Sequence, residues 1–274
     1  MIGRRKIGLF ILTALLTAAG LWWAAYVPER PLRAFRAIPA GADFVSLHDR
    51  FADRSDELLA TPLARLFAGG FGLTAEQWDA VRSDGQTRVW IRRLADRRVV
   101  AAALPLPGGR HAWFAASDIG ARAIRLRWML KLGALPAFQK FGTHGGRTLW
   151  MLAPELTGTA DRLALTFEEG LLITTWSADP RDLLLALEAY DGTIESMGRT
   201  GLGERLAASS AAPDRMWWRG DRAWPLGSAW IRIERADAGG IEGRAEFPDA
   251  RGRLARPGRG ANAGDAAALF GRTP

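Results

Sequence analysis

Twenty consecutive residues without a charge, IGLFILTALLTAAGLWWAAY (7–26), constrain this chain more than any other feature. As a helix rising about 1.5 Å per residue they reach roughly 30 Å, the thickness of a hydrocarbon core. Arg4, Arg5 and Lys6 precede the run, and the next charges are Glu29 and Arg30. Positive flanks stay in the cytoplasm, so the run predicts a single-pass membrane signal-anchor with a cytoplasmic N-terminus and everything after Tyr26 extracytoplasmic. Trp22, Trp23 and Tyr26 lie at its far end, where amphipathic rings prefer the headgroup layer. A cleaved signal peptide is the rival reading. Thr17-Ala18-Ala19 offers small residues for cleavage, but a signal's apolar stretch of about 7–15 residues is shorter than this one.

The net charge of +8 suggests nucleic acid until its distribution is read. Residues 1–26 contribute three cations and no acid, and the tail 250–274 contributes Arg251, Arg253, Arg256, Arg259 and Arg272 against Asp265. What remains is close to neutral, and only Lys6, Lys131 and Lys140 among the 37 bases are lysines. That skew fits GC-rich codon usage better than phosphate recognition, and no nucleic-acid partner is expected. Without a cysteine there is no disulfide, thiol nucleophile or Cys-ligated zinc.

Four segments are expected: a cytoplasmic stub and anchor (1–26), a spacer (27–41) stiffened by Pro28, Pro31 and Pro39, an extracytoplasmic domain (42–248), and an Arg/Gly/Ala-rich flexible tail (249–274). Within the domain, alternation at DFVSLH (43–48) predicts a strand. Residues 50–70 predict helices broken near Thr61-Pro62, and Thr74-Ala75-Glu76-Gln77 is a capping box opening a helix to about Val81. TRVWIRR (87–93), RVVAAALP (98–105) and HAWFAAS (111–117) read as strands. A helix from Ser117 or Asp118 to Leu132 follows, with Gly133 after it. RTLWMLA (147–153), DRLALTF (161–167) and LLITTWS (171–177) read as strands, the last two joined by a Glu168-Glu169-Gly170 turn. Asp179-Pro180 opens a helix through Tyr190, a looser helix covers 194–208, and strands close the domain at 215–220, 228–236 and 241–247. Helices grouped between hairpin-linked strand triplets predict an α+β fold: an N-terminal transmembrane helix, then antiparallel sheet packed with helices.

At IPAGADFVSLHDRFADRSDELLATPLARLFAGGFGL and LALTFEEGLLITTWSADPRDLLLALEAYDG the chain resembles membrane-anchored extracytoplasmic proteins of the bacterial envelope built from alternating helix and antiparallel-strand units. The resemblance spans about residues 36–192 and implies an envelope location. It brings no catalytic residue with it.

Motifs for chemistry are sparse. His48, His111 and His144 have no metal-ligand spacing. Gly227-Ser228-Ala229 lacks the second glycine of a nucleophile elbow, and Gly201-Leu202-Gly203 lacks the third glycine of a dinucleotide loop. Glu168-Glu169 reads as a turn, and Asp53, Asp56 and Glu57 as a solvated helix face. Neither a catalytic residue, a cofactor nor a metal is assigned. Tryptophans 78, 90, 113, 128, 150, 176, 217, 218, 224 and 230 follow the anchor, and most suit a two-layer core. Trp217-Trp218 differs, because consecutive strand residues face opposite sides. With Arg215 and Arg219 this pair is the candidate contact surface, for an envelope protein or, alternatively, a cell-wall glycan. The helix 118–132 adds Arg122, Arg125, Arg127 and Lys131, with no acid after Asp118. The expectation is a structural or interaction protein, with a glycan-binding module and an envelope enzyme as the alternatives.

Overall fold

The computed structural model describes residues 12–17, 30–70, 73–157, 160–208, 212–220, 227–237 and 240–248. Its architecture is α+β, built on one antiparallel sheet of ten strands in the order β10-β9-β8-β1-β2-β3-β7-β6-β5-β4. In chain order the elements are α1 (Arg33–Arg36), β1 (Phe44–Asp49), α2 (Phe51–Ala60), α3 (Pro62–Gly70), α4 (Ala75–Ser83), α5 (Gly85–Leu94), β2 (Arg98–Pro105), β3 (His111–Asp118), α6 (Arg122–Lys131), β4 (Phe138–His144) and β5 (Arg147–Leu152). They continue with α7 (Pro154–Thr157), β6 (Arg162–Glu168), β7 (Leu171–Ser177), α8 (Leu183–Asp191), α9 (Gly201–Ala208), β8 (Asp214–Trp218), β9 (Ala229–Asp237) and β10 (Gly240–Glu246).

Strand alternation gives the sheet two faces, and they are filled differently. On one face Val45, Leu47, Val100, Ala102, Phe114, Ala116, Leu171 and Ile173 form a continuous core. Phe35 and Ile38 cover it around α1, Leu183, Leu187 and Tyr190 from α8, and Leu206 from α9. On the other face the core is split. Ala123 and Leu130 of α6 pack with Ile119, Trp150, Leu165 and Phe167. Leu58, Met216, Ile233 and Ala236 pack separately, with Phe44 and Phe51 beside them.

Local chemistry explains the boundaries. Thr74 makes the expected capping box, accepting from the Gln77 amide while Gln77 accepts from the Thr74 amide. Thr61 caps α3, whose first residue is Pro62, by accepting from the Ala64 amide. The β6–β7 hairpin turns on Glu169 at φ 42° and Gly170 at φ 88°, the two positive φ values of a type I′ turn.

One strand expectation is corrected. Residues 87–93 are helical, inside α5. Asp84 caps that helix, accepting from the Thr87 amide at 2.6 Å and from its hydroxyl at 2.7 Å. Thr87, Trp90, Ile91 and Leu94 recur at i, i+3, i+4, i+7 and are its half-buried side. The β-branched content of Thr-Arg-Val-Trp-Ile favoured strand, but the cap and this stripe decide for helix. The helix after β3 also starts later than Asp118, at Arg122, because Asp118 completes β3 and its carboxylate accepts from the Gly120 amide. β4 is an addition: it is the sheet's edge, with Gln139, Lys140 and Thr143 exposed.

Of the anchor run, residues 12–17 are helical; its remainder, with Arg4, Arg5, Lys6, Trp22, Trp23 and Tyr26, lies outside the described residues, as do residues 249–274 of the tail. Among the described residues no helix is long and apolar enough to cross a membrane.

Candidate functional site

The split core leaves space. A cavity of about 220 Å³ lies between the sheet and the helices α2–α4. Its floor is small where the strands pass beneath it, at Ser46 and Ala101, and Phe44, Trp113, Met216 and Ile233 surround that floor. Leu58, Leu59, Ala64 and Trp78 come from the helices. The Trp78 indole N–H donates to the Leu59 carbonyl at 3.2 Å, so its one polar atom is satisfied and the ring serves as apolar wall. The space exceeds the roughly 150 Å³ that admits a benzene ring into an engineered apolar cavity.

The one ionisable side chain lining this cavity is His48. Strand register puts it there: His48 on β1 stands directly opposite Asp214 on β8. Their side chains share a face, and the imidazole Nδ1 lies 2.8 Å from Asp214 Oδ1. Asp214 is fully buried, and its second oxygen accepts from the Arg54 guanidinium, one turn into α2. The Phe51 ring meets the imidazole edge-on at 5.5 Å. The carboxylate therefore fixes the ring, and Arg54 neutralises the carboxylate. Among the described residues no hydrogen bond joins the Ser46 hydroxyl to His48.

A second ion cluster sits across the sheet. Arg215 is 4% exposed and pairs with Asp49, which also accepts from Arg98 Nε at 2.8 Å. Arg215 Nε and Nη1 have no hydrogen-bond partner. Burial pushes the Arg215 guanidinium below its ordinary pKa, against the opposing pull of Asp49.

These positions redraw the candidate contact surface. Trp217 is buried in the continuous core beside Val45, and Arg215 is buried with Asp49. Neither side chain is available to a partner. Trp218 is half-buried and Arg219 is exposed; Arg219 stands 5.6 Å over the Trp217 ring and bridges to Asp43 at 3.2 Å. Both faces of β8 carry buried side chains, Arg215 and Trp217 on one and Asp214 and Met216 on the other. Of the described tryptophans, Trp128 alone is prominently exposed, at 54%. His48 and Asp214, 166 residues apart, were beyond sequence reasoning; the one local signal was that Ser46 and His48 alternate onto a single strand face. Among the described residues no group of three or more His, Asp or Glu can hold a metal ion.

Comparisons with protein families, with curated proteins and with solved structures find no match for this chain.

Proposed function

We propose that this chain is a single-pass, bilayer-tethered extracytoplasmic interaction protein of a bacterial envelope, and that it holds an apolar side chain of a partner protein in the cavity beside His48. The cavity carries this reading. It is apolar, large enough for one leucine- or phenylalanine-sized group, and has a single oriented hydrogen-bonding ring at its wall. The uncharged run 7–26 supports the tether, with Arg4, Arg5 and Lys6 on the cytoplasmic side and Trp22, Trp23 and Tyr26 at the far boundary. A glycan platform has less support, because Trp150 and Trp217 are buried and no row of exposed rings is present among the described residues.

A photo-crosslinking residue in place of Leu59 tests the proposal in native membranes. The expected result is one crosslinked envelope protein, attached through a peptide with an apolar side chain, and lost when Ala101→Phe fills the floor of a still-folded protein. Crosslinks that survive Ala101→Phe would place the partner elsewhere.

A second reading, catalysis, has one observation behind it: the Asp214-oriented imidazole faces a cavity. His48→Gln keeps a hydrogen-bonding side chain but removes proton transfer. An envelope function that survives this change while Ala101→Phe abolishes it is binding, and the reverse pattern is catalysis.

A further inference from the structure

Helix α6 presents an unpartnered apolar stripe to the outside. Ala123 and Leu130 are buried on its sheet side, with Leu126 packed beside them. On the opposite side Ile124, Trp128 and Leu132 are 40%, 54% and 76% exposed. Their i, i+4, i+8 spacing stacks them into one line. At 100° per residue, Arg127 and Lys131 flank that line on one side and Arg125 on the other. No acidic residue occurs in the helix. The Lys131 ammonium sits 5.5 Å from the Trp128 ring centroid, and Arg125, Arg127 and Lys131 have no ion-pair partner among the described residues.

A polar pocket adjoins the stripe. Arg127 and Lys131 line a pocket of about 190 Å³ with the Gly145-Gly146 turn, Thr148 and Thr166. Arg147 and Glu168 also line it but are already paired to each other, and Arg147 makes two further bonds to Asp191 at 2.7 and 2.8 Å. The uncommitted charge in the pocket is therefore positive.

We propose that α6 is a second membrane contact: the helix lies on the surface of an anionic bilayer, with Ile124, Trp128 and Leu132 in the headgroup–acyl boundary and Arg125, Arg127 and Lys131 on lipid phosphates. An apolar line containing Trp and edged by cations is the chemistry of an interfacial helix, and its charge complements anionic lipid. The proposal rests partly on the tether read above, which holds the domain beside a bilayer and raises the local concentration of lipid. The outcome is a domain pinned at two points, its orientation fixed relative to the membrane.

The absence of cysteine makes the test direct. The full chain carrying Leu132→Cys, or Val89→Cys as an exposed control on α5, is labelled with an environment-sensitive fluorophore. It is reconstituted into vesicles of phosphatidylcholine alone, and of phosphatidylcholine with phosphatidylglycerol. Flotation with the neutral vesicles reads the tether independently of α6. The expected result is a blue shift and lipid-borne quenching at position 132 in anionic vesicles only, with position 89 unchanged. Lys131→Gln should weaken this docking about fivefold, and Arg125→Gln similarly. A label at 132 that stays in water in both vesicles overturns the proposal, whatever flotation shows. Equal docking in neutral vesicles overturns the assignment to anionic lipid.

Discussion

The two faces of the sheet are made from the same strands and do different work. Against α1, α8 and α9, small and large side chains interlock into one continuous core. Against α2–α4 and α6 the core divides, and a cavity with an oriented histidine occupies one of the gaps. Alanine shows the difference most clearly. Ala102 is fully buried on the filled face, whereas its neighbour Ala101 lines the cavity. A protein with one filled face can leave space on the other, and that space is where the proposed partner side chain would sit.

The largest test of this contrast is truncation. Leu187→Ala on the filled face should cost about 4 kcal/mol, the sum of lost transfer energy and a new cavity. Leu58→Ala already borders a void and should cost about half as much, read by chemical denaturation. Equal losses would remove the distinction between the faces.

Charge sharpens it next. Asp49→Ala strands the buried guanidinium of Arg215 and should destabilise by about 3 kcal/mol. Arg215→Met removes the buried charge instead, including the two unpartnered nitrogens, and should be neutral or stabilising. A cost for Arg215→Met as large as that of Asp49→Ala would show that the pair itself adds net stability.

Overpacking follows. Ala102→Leu should destabilise by about 2 kcal/mol, because no space receives the added atoms. Ala101→Leu fills the cavity and should leave the melting temperature within a degree or two, or raise it.

The smallest effect is alkaline. Burial, and then the carboxylate of Glu169, which accepts from the hydroxyl at 3.2 Å, push the Tyr190 phenol up to about 12. The folded state therefore holds that proton more tightly than the unfolded state. The stabilisation is complete below the unfolded value of 10.0 and is lost as pH rises through about 12. Tyr190→Phe should flatten the fall of stability across that window relative to the wild type; an unchanged slope would mean that other groups set it.

How far the sequence reveals this molecule depends on whether a signal is local. The β2 strand runs over residues 98–105 and β7 over 171–177, as alternation and turn residues indicate. The Thr74 cap and the Gly192 stop are equally local, the latter at φ 85°. Residues 87–93 misled because composition and periodicity disagreed there, and Asp84 held the deciding cap. The β4 strand escaped notice because an edge strand with Gln139, Lys140 and Thr143 in solvent needs no apolar alternation. The site was less legible than the fold. His48 and Asp214 meet only through the β1–β8 register. Trp217 and Arg215 looked available only while the second covering layer was unknown. On α6 the cations were visible in the sequence, but the Ile124-Trp128-Leu132 line gains meaning only once the opposite side is seen to pack on the sheet.

Two methionines make the central claim measurable. Met216 lines the cavity, and Met197 is buried in the filled core. With both methyls isotopically labelled in the full chain in lipid nanodiscs, a xenon titration should shift the Met216 resonance saturably and leave Met197 unmoved. Equal response of the two, or none at Met216, would contradict an apolar cavity confined to one face of the sheet.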